Sequence, residues 1–206
     1  SLKSNLSKIL LFIFLAILYF VARLLIIGQL SIPAEDAASF GQAILTVPTI
    51  FVFYIRQIIF PISLGINYAV RPLETFSLMD FLFPMLISIV IIFLFWKLAR
   101  RSFVQKLGLA IFILTLLPSF NITAFPSEQI VHDRYLYFPL LGFLMLIMPF
   151  FKELFEKINQ KNAEKFLLGF TFLICVLLGI KTINYNQVWK NDLSLWSHSI
   201  TIDNNS

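Results

Sequence analysis

A 206-residue chain that is 59% hydrophobic and only 13% charged has too little polar surface to coat a water-soluble globule, so it reads as an integral membrane protein. Its net charge of +5 comes without a basic patch interleaved with aromatics, which excludes nucleic acid as a partner. The single cysteine, Cys175, lies in an apolar run and offers neither a disulfide framework nor a cysteine metal site.

In chain order, the first apolar segment runs from Ile9 to Ile27. It is too long for the apolar core of a signal peptide and lacks a small-residue cleavage site, so it reads as a span. Arg23, four residues from its end, is explained by snorkelling to the headgroups. The chain opens Ser1-Leu2-Lys3 without an initiator methionine and closes on Asp203-Asn204-Asn205-Ser206 just after a new amphipathic element begins, which reads as an excerpt of a longer protein. Further apolar segments follow at Ala43 to Phe60, Phe81 to Trp96, Leu107 to Pro118, Leu136 to Phe151 and Phe166 to Ile183. Several fall short of the ~20 residues that cross a bilayer upright. Phe103, Phe120, Tyr135 and Tyr137 are the expected interface anchors.

Charge sets the expected topology. Lys3 and Lys8 precede the first segment, Lys97, Arg100, Arg101 and Lys106 follow the third, and Lys152, Lys157, Lys161 and Lys165 follow the fifth. Those stretches contain only Glu153, Glu156 and Glu164 among the acids, so the positive-inside rule turns them to the cytoplasm. Glu35, Asp36, Glu74, Asp80, Glu128, Asp133, Asp192 and Asp203 then face the periplasm or an equivalent exterior.

A full crossing by Ala43 to Phe60 would put the basic stretches on opposite sides. The scheme that avoids this keeps residues 28–80 outside, with Ala43 to Phe60 lying in the interface or entering and returning. Pro48, Arg56, Gln57 and Pro61 suit such a segment. The alternative is an ordinary span with a weak topology signal, the first segment then starting outside.

The expected fold is therefore all-α: a polytopic transmembrane bundle of about five crossing helices plus one interfacial or re-entrant helical segment. Residues 1–183 form the membrane domain and residues 184–206 an exterior tail, in which Asp192 caps a helix through Ile202. Leu195, Trp196, Ser199 and Ile202 fall on its neighbouring turns.

The run His132-Asp133-Arg134-Tyr135-Leu136-Tyr137-Phe138-Pro139 concentrates titratable and phenolic groups at the mouth of the fifth segment. Charge at a membrane boundary marks a candidate site. A guanidinium at headgroup level can make paired, charge-assisted hydrogen bonds to a phosphate, which nominates Arg134. Asp133 can orient Arg134. Tyr135 and Tyr137 point in different directions on one helix, so at most one shares its pocket. The competing reading is an Asp133 to Arg134 surface pair within an aromatic belt. His132 can donate to phosphate or act as an acid or base, but nothing at ligand spacing joins it in a metal site. Arg71 and Glu74 can reach a donor or acceptor, or pair with each other in solvent. Arg56 reads as a snorkelling side chain. Asn121-Ile122-Thr123 is a glycosylation acceptor pattern. No Walker loop, dinucleotide fingerprint or nucleophile elbow is present, and no cofactor is implied.

Three patches carry a family resemblance. The segment Tyr54-Ile55-Arg56-Gln57-Ile58-Ile59-Phe60-Pro61-Ile62-Ser63-Leu64-Gly65-Ile66-Asn67-Tyr68 resembles a Tyr-x-x-x-x-x-x-Pro-x-x-Leu-x-x-x-Tyr loop. Asp133 to Pro139 resembles a Glu-Arg-Tyr-Leu-Tyr-Leu-Pro motif, with Asp133 where Glu is usual. Trp189-Lys190-Asn191-Asp192-Leu193-Ser194-Leu195-Trp196, followed by Asn204-Asn205, resembles the junction to tetratricopeptide repeats.

Over residues 20–206 the chain is similar to the C-terminal half of the membrane domain of the transmembrane and tetratricopeptide-repeat O-mannosyltransferase-like family and its bacterial relatives. The resemblance implies a GT-C glycosyltransferase that moves a sugar from a polyprenyl-phosphate carrier to a protein or glycan acceptor on the non-cytoplasmic side of a bacterial inner membrane. Arg134 would bind the donor phosphate. His132, Asp133, Tyr135, Tyr137, Arg71 and Glu74 would contribute to the pocket. The family's catalytic carboxylate sits in an earlier exterior loop, so no catalytic residue is assigned. The partners implied are the lipid-linked donor, membrane lipids and a protein bound through downstream repeats. The alternative is a non-catalytic anchor that displays those repeats as a scaffold.

Overall fold

A computed structural model describes residues 2–27, 36–158 and 163–203. Glu35, Lys161 and Asn204 to Ser206 lie outside the described residues, as do the side chains of Lys3 and Lys8. The described residues hold helices and no strand: α1 (Leu2–Ile27), α2 (Phe40–Ile59), α3 (Phe83–Ala99), α4 (Phe103–Leu116), α5 (Tyr137–Ile158), α6 (Ala163–Asn186) and α7 (Asp192–Ile202). A π turn, Leu78–Leu82, leads into α3, and short 3-10 turns occupy Leu117–Phe120, Ile122–Ala124, Asp133–Leu136 and Gln187–Lys190. Five stretches are long and apolar enough to cross a membrane: Phe40–Ile59, Leu78–Ala99, Phe103–Phe120, Asp133–Lys157 and Glu164–Lys190. The protein is an integral membrane protein of helical class.

The helix starts follow capping chemistry. Ser39 forms a capping box with Gln42 at the head of α2, and Ser102 accepts from the Gln105 N–H at the head of α4. At α7 the cap differs from the expectation: Asn191 accepts from the Ser194 N–H at 2.8 Å, and Asp192 is the first helical residue. Asn191 has the extended backbone of an N-cap, which aims its side-chain oxygen at the N–H of the third helical residue, while Asp192 keeps its charge in the first turn, where the helix dipole favours it.

Helices α4 and α5 form the most intimate pair. A Cβ built on Gly142 would fall 2.4 Å from the Phe112 backbone nitrogen, and one on Gly108 would fall 2.8 Å from the Gly142 carbonyl oxygen. Only glycine lets the two backbones meet so closely. Above this contact Phe95, Phe112 and Phe143 pack edge-on or tilted, and the buried Gln105 amide donates to the Leu146 carbonyl at 3.0 Å. By contrast, none of the apolar window of α6 is buried, and the described apolar side chains of α1 are almost all exposed. Such surfaces suit lipid or further protein, not water.

The two ends of the bundle differ. At one, Lys97, Arg100, Arg101 and Lys106 meet Lys152, Glu153, Glu156 and Lys157, joined by an Arg101 to Glu153 ion pair at 2.9 Å. At the other, α3 begins, α4 finishes, α5 begins and α6 finishes. Helix α2 is laid across that second end. Thr49 donates to the Asp80 carbonyl, Phe51 packs on Phe120, and Gln57 reaches Asp133. Contacts from Thr46 to Gln57 cover about 16 Å of helix, yet all fall on one end of the bundle. The helix is unbroken through Pro48, and by length and composition it is one of the five able to cross a membrane.

Candidate functional site

The His132 to Pro139 run opens as the 3-10 turn Asp133–Leu136 and passes into α5 at Tyr137. Three side chains from the α2 region fasten it. The Tyr54 hydroxyl, fully buried, accepts from the His132 backbone N–H at 3.4 Å. The Gln57 amide donates to Asp133 Oδ1 at 2.9 Å, to the Ser63 carbonyl at 3.1 Å and to the Tyr68 hydroxyl at 3.1 Å. The Tyr68 hydroxyl donates in turn to Asp133 Oδ2 and accepts from the Gly65 N–H at 3.0 Å. Both tyrosines of the first motif therefore hold the start of the second, Tyr68 at its first residue, Asp133, and Tyr54 at the preceding residue, His132.

Electrostatics match this bonding. Burial pushes the Tyr68 phenol well above its ordinary range, and the hydrogen bond to Asp133 pushes it further, so it stays a protonated donor. Burial lowers the His132 pKa, with the neighbouring Arg134 charge adding to the effect, which keeps the ring neutral at pH 7. That ring stacks edge-on against Tyr135 at 5.6 Å.

Arg134 stands apart from the network. Its guanidinium is exposed and lies over the Tyr135 ring at 5.4 Å, and among the described residues its side chain has no hydrogen bond or ion pair. The Asp133 to Arg134 surface pair does not form, because both Asp133 oxygens are taken by Gln57 and Tyr68. Tyr135 is half-buried against Phe125, whereas Tyr137 is 78% exposed, so the two phenols diverge as their spacing predicts.

Arg71 pairs with Asp203 and not with Glu74. It also donates to the Tyr68 carbonyl at 2.8 Å and to the Glu128 carbonyl at 3.4 Å, while Glu74 is exposed. The expected Arg71 to Glu74 pair in solvent does not form: residues 61–77 are irregular, and the loop carries Arg71 toward Asp203 instead. Asp203 itself is fully buried, and its pairing fixes the end of α7 over the loop.

Two clefts open beside this assembly. One, of about 320 Å³, is lined by Phe53, Arg56, Gln57, Tyr68 and Ile202. The other, of about 650 Å³, lies among Leu64, Leu177, Lys181, Tyr185 and His198. Arg134 lines neither. Sequence reasoning passed over Lys181 and His198 and treated Gln57 only as a polar residue in an interfacial helix. The available signal was an amide inside an apolar helix, which has to find partners when buried.

No protein-family model matches the chain, and no solved structure matches it. Curated proteins do. The chain is similar to protein O-mannosyl-transferases. It is 30% identical to one from Caenorhabditis elegans over 157 residues, which cover 74% of this chain and 21% of that protein. Identity is 32% over 108 residues to one from Xenopus laevis and 26% over 107 residues to one from Homo sapiens, in each case covering 52% of this chain and 13% of the relative. The chain thus spans about a fifth or less of the length of these relatives. The similarity supports the O-mannosyltransferase family suggested by the motifs.

Proposed function

We propose that this chain is part of a membrane glycosyltransferase of GT-C type that takes a sugar from a polyprenyl-phosphate donor and passes it to a protein or glycan acceptor on the exterior side. The observation that carries the proposal is an exposed guanidinium, Arg134, that lies over the Tyr135 ring and makes no side-chain hydrogen bond or ion pair among the described residues, on a turn whose first residue, Asp133, is clamped by Gln57 and Tyr68. A fixed backbone with an uncommitted fork of donors is what recognition of a phosphate requires. Names of the relatives point to sugar transfer, and the basic character of the opposite end supports an exterior position for Arg134. In this reading the neutral His132 contributes a hydrogen bond, Tyr135 supports the guanidinium from beneath, and the exposed Tyr137 meets the polyprenyl chain.

Replacing Arg134 with alanine in the full-length protein is expected to lower sugar transfer by on the order of 100-fold, the scale for removing one charge-stabilising donor. Arg134→Lys should recover part of it, because lysine returns the charge without the fork. Expression and membrane insertion should be unchanged in both. Full turnover by Arg134→Ala would remove the phosphate contact and favour the scaffold that displays tetratricopeptide repeats.

A further inference from the structure

At the basic end, far from Arg134, α3 and α4 enclose a second kind of cleft. It holds about 350 Å³ and is lined by Trp96, Arg100, Lys106, Leu109, Ala110 and Ile113, together with Ala99. On α4 the lining residues fall at offsets of three, four and seven from Lys106, which places them on one face of the helix, charge at the start and apolar stripe behind it. Trp96 lies in the last turn of α3 and Arg100 caps its end, with the Arg100 guanidinium 4.9 Å over the Trp96 ring.

Not every cation at this end is equally available. Arg101 is paired with Glu153, Lys157 also with Glu153, and Lys152 with Glu156. Arg100 and Lys106 are both exposed, and among the described residues neither makes a side-chain hydrogen bond or an ion pair. Lys97 is likewise exposed and without an ion pair among the described residues, but it does not line the cleft; Arg100 and Lys106 both do, at the mouth of a groove whose remaining walls are apolar. Snorkelling alone would explain two long basic side chains near helix ends. It does not explain their convergence on one cleft, with the apolar face of α4 running on from it toward the membrane interior.

We infer that this α3–α4 hairpin carries a binding site for an anionic phospholipid, with Arg100 and Lys106 on the headgroup phosphate, Trp96 at the glycerol level and an acyl chain along Leu109, Ala110 and Ile113. Basic pockets between transmembrane helices suit such headgroups through charge, while the groove supplies apolar contact for the chain. The occupant is a lipid and not a soluble phosphate, because most of the cleft is hydrocarbon-like and lies in the part of the molecule that meets the bilayer.

The test uses the full-length protein in detergent, titrated with phosphatidylglycerol or phosphatidylcholine and read by native mass spectrometry. Wild type should prefer phosphatidylglycerol. The double variant Arg100→Gln, Lys106→Gln should bind it about 25-fold more weakly, taking about fivefold for each basic group at an anionic surface. Lys152→Gln with Lys157→Gln removes the same charge from the same end and should bind like wild type. Ala110→Phe keeps both cations, obstructs the groove at an exposed position and should also weaken binding. The inference is overturned by undiminished binding in the first variant, by an equal loss in the charge-matched control, or by an unaffected Ala110→Phe, which would reduce the effect to attraction by a basic surface.

Discussion

The two ends of this bundle use similar polar residues to opposite effect. At the basic end, Arg101, Glu153 and Lys157 form ion pairs between side chains that are each more than 40% exposed, where water competes for every contact. At the other end, Gln57, Tyr68 and Asp133 form a partly buried network, and Asp203 is fully buried against Arg71. Burial makes each of those contacts specific, because a partner removed there leaves a group that water cannot easily satisfy. The first end is joined at its surface, and the second is held by buried partners.

That contrast is open to direct attack. The largest effect is expected at Arg71→Ala, which takes the guanidinium away from the buried Asp203 carboxylate. Discounted for the partial exposure of Arg71, the loss should be ~2–4 kcal/mol, read as a lower melting temperature and as faster hydrogen exchange through α7. Protection of α7 equal to wild type would show that Ile202 and His198 hold the helix without the pair.

Tyr68→Phe should follow. It removes a hydrogen bond to a carboxylate at nearly constant shape and is expected to cost ~1.5–3 kcal/mol, measured by thermal melting in detergent. A melting point within error of wild type would mean that Gln57 alone suffices to hold Asp133.

His132 gives a smaller, pH-dependent effect. Its pKa is lowered in the folded protein from an ordinary value of 6.5, so the unfolded chain takes up the proton first as pH falls. Stability should therefore drop as pH passes below 6.5 and level off below the folded pKa. His132→Gln should flatten this dependence between pH 7 and pH 5, and an unchanged slope would assign it to other groups.

Arg101→Gln should do least. An exposed pair of this kind contributes under ~1 kcal/mol, so its melting point should stay close to wild type. A loss as large as that of Tyr68→Phe would erase the distinction between the ends.

Much of the architecture was legible because a bilayer imposes simple rules. Each of the six apolar runs lies within or largely overlaps one of the helices α1 to α6. Their ends were less legible: α5 continues to Ile158 and α6 begins at Ala163, past the apolar runs, because helical hydrogen bonding persists into the polar flanks. The candidate motif was found where it was expected, at the mouth of α5. Its internal pairing was misread. Nearness in sequence suggested Asp133 with Arg134 and Arg71 with Glu74, whereas Asp133 bonds to a residue 76 positions away and Arg71 to one 132 positions away.

Membrane residence, helical class, the unequal charge of the two ends and the location of the candidate arginine were all determined by the sequence alone, since hydropathy and charge are sums over neighbouring residues. Only the tertiary structure decided that Asp133 is clamped, that Arg134 is left uncommitted and that α7 is fastened by Arg71. Those outcomes depend on which distant side chains arrive at one place and exclude water there, and no local pattern carries that information.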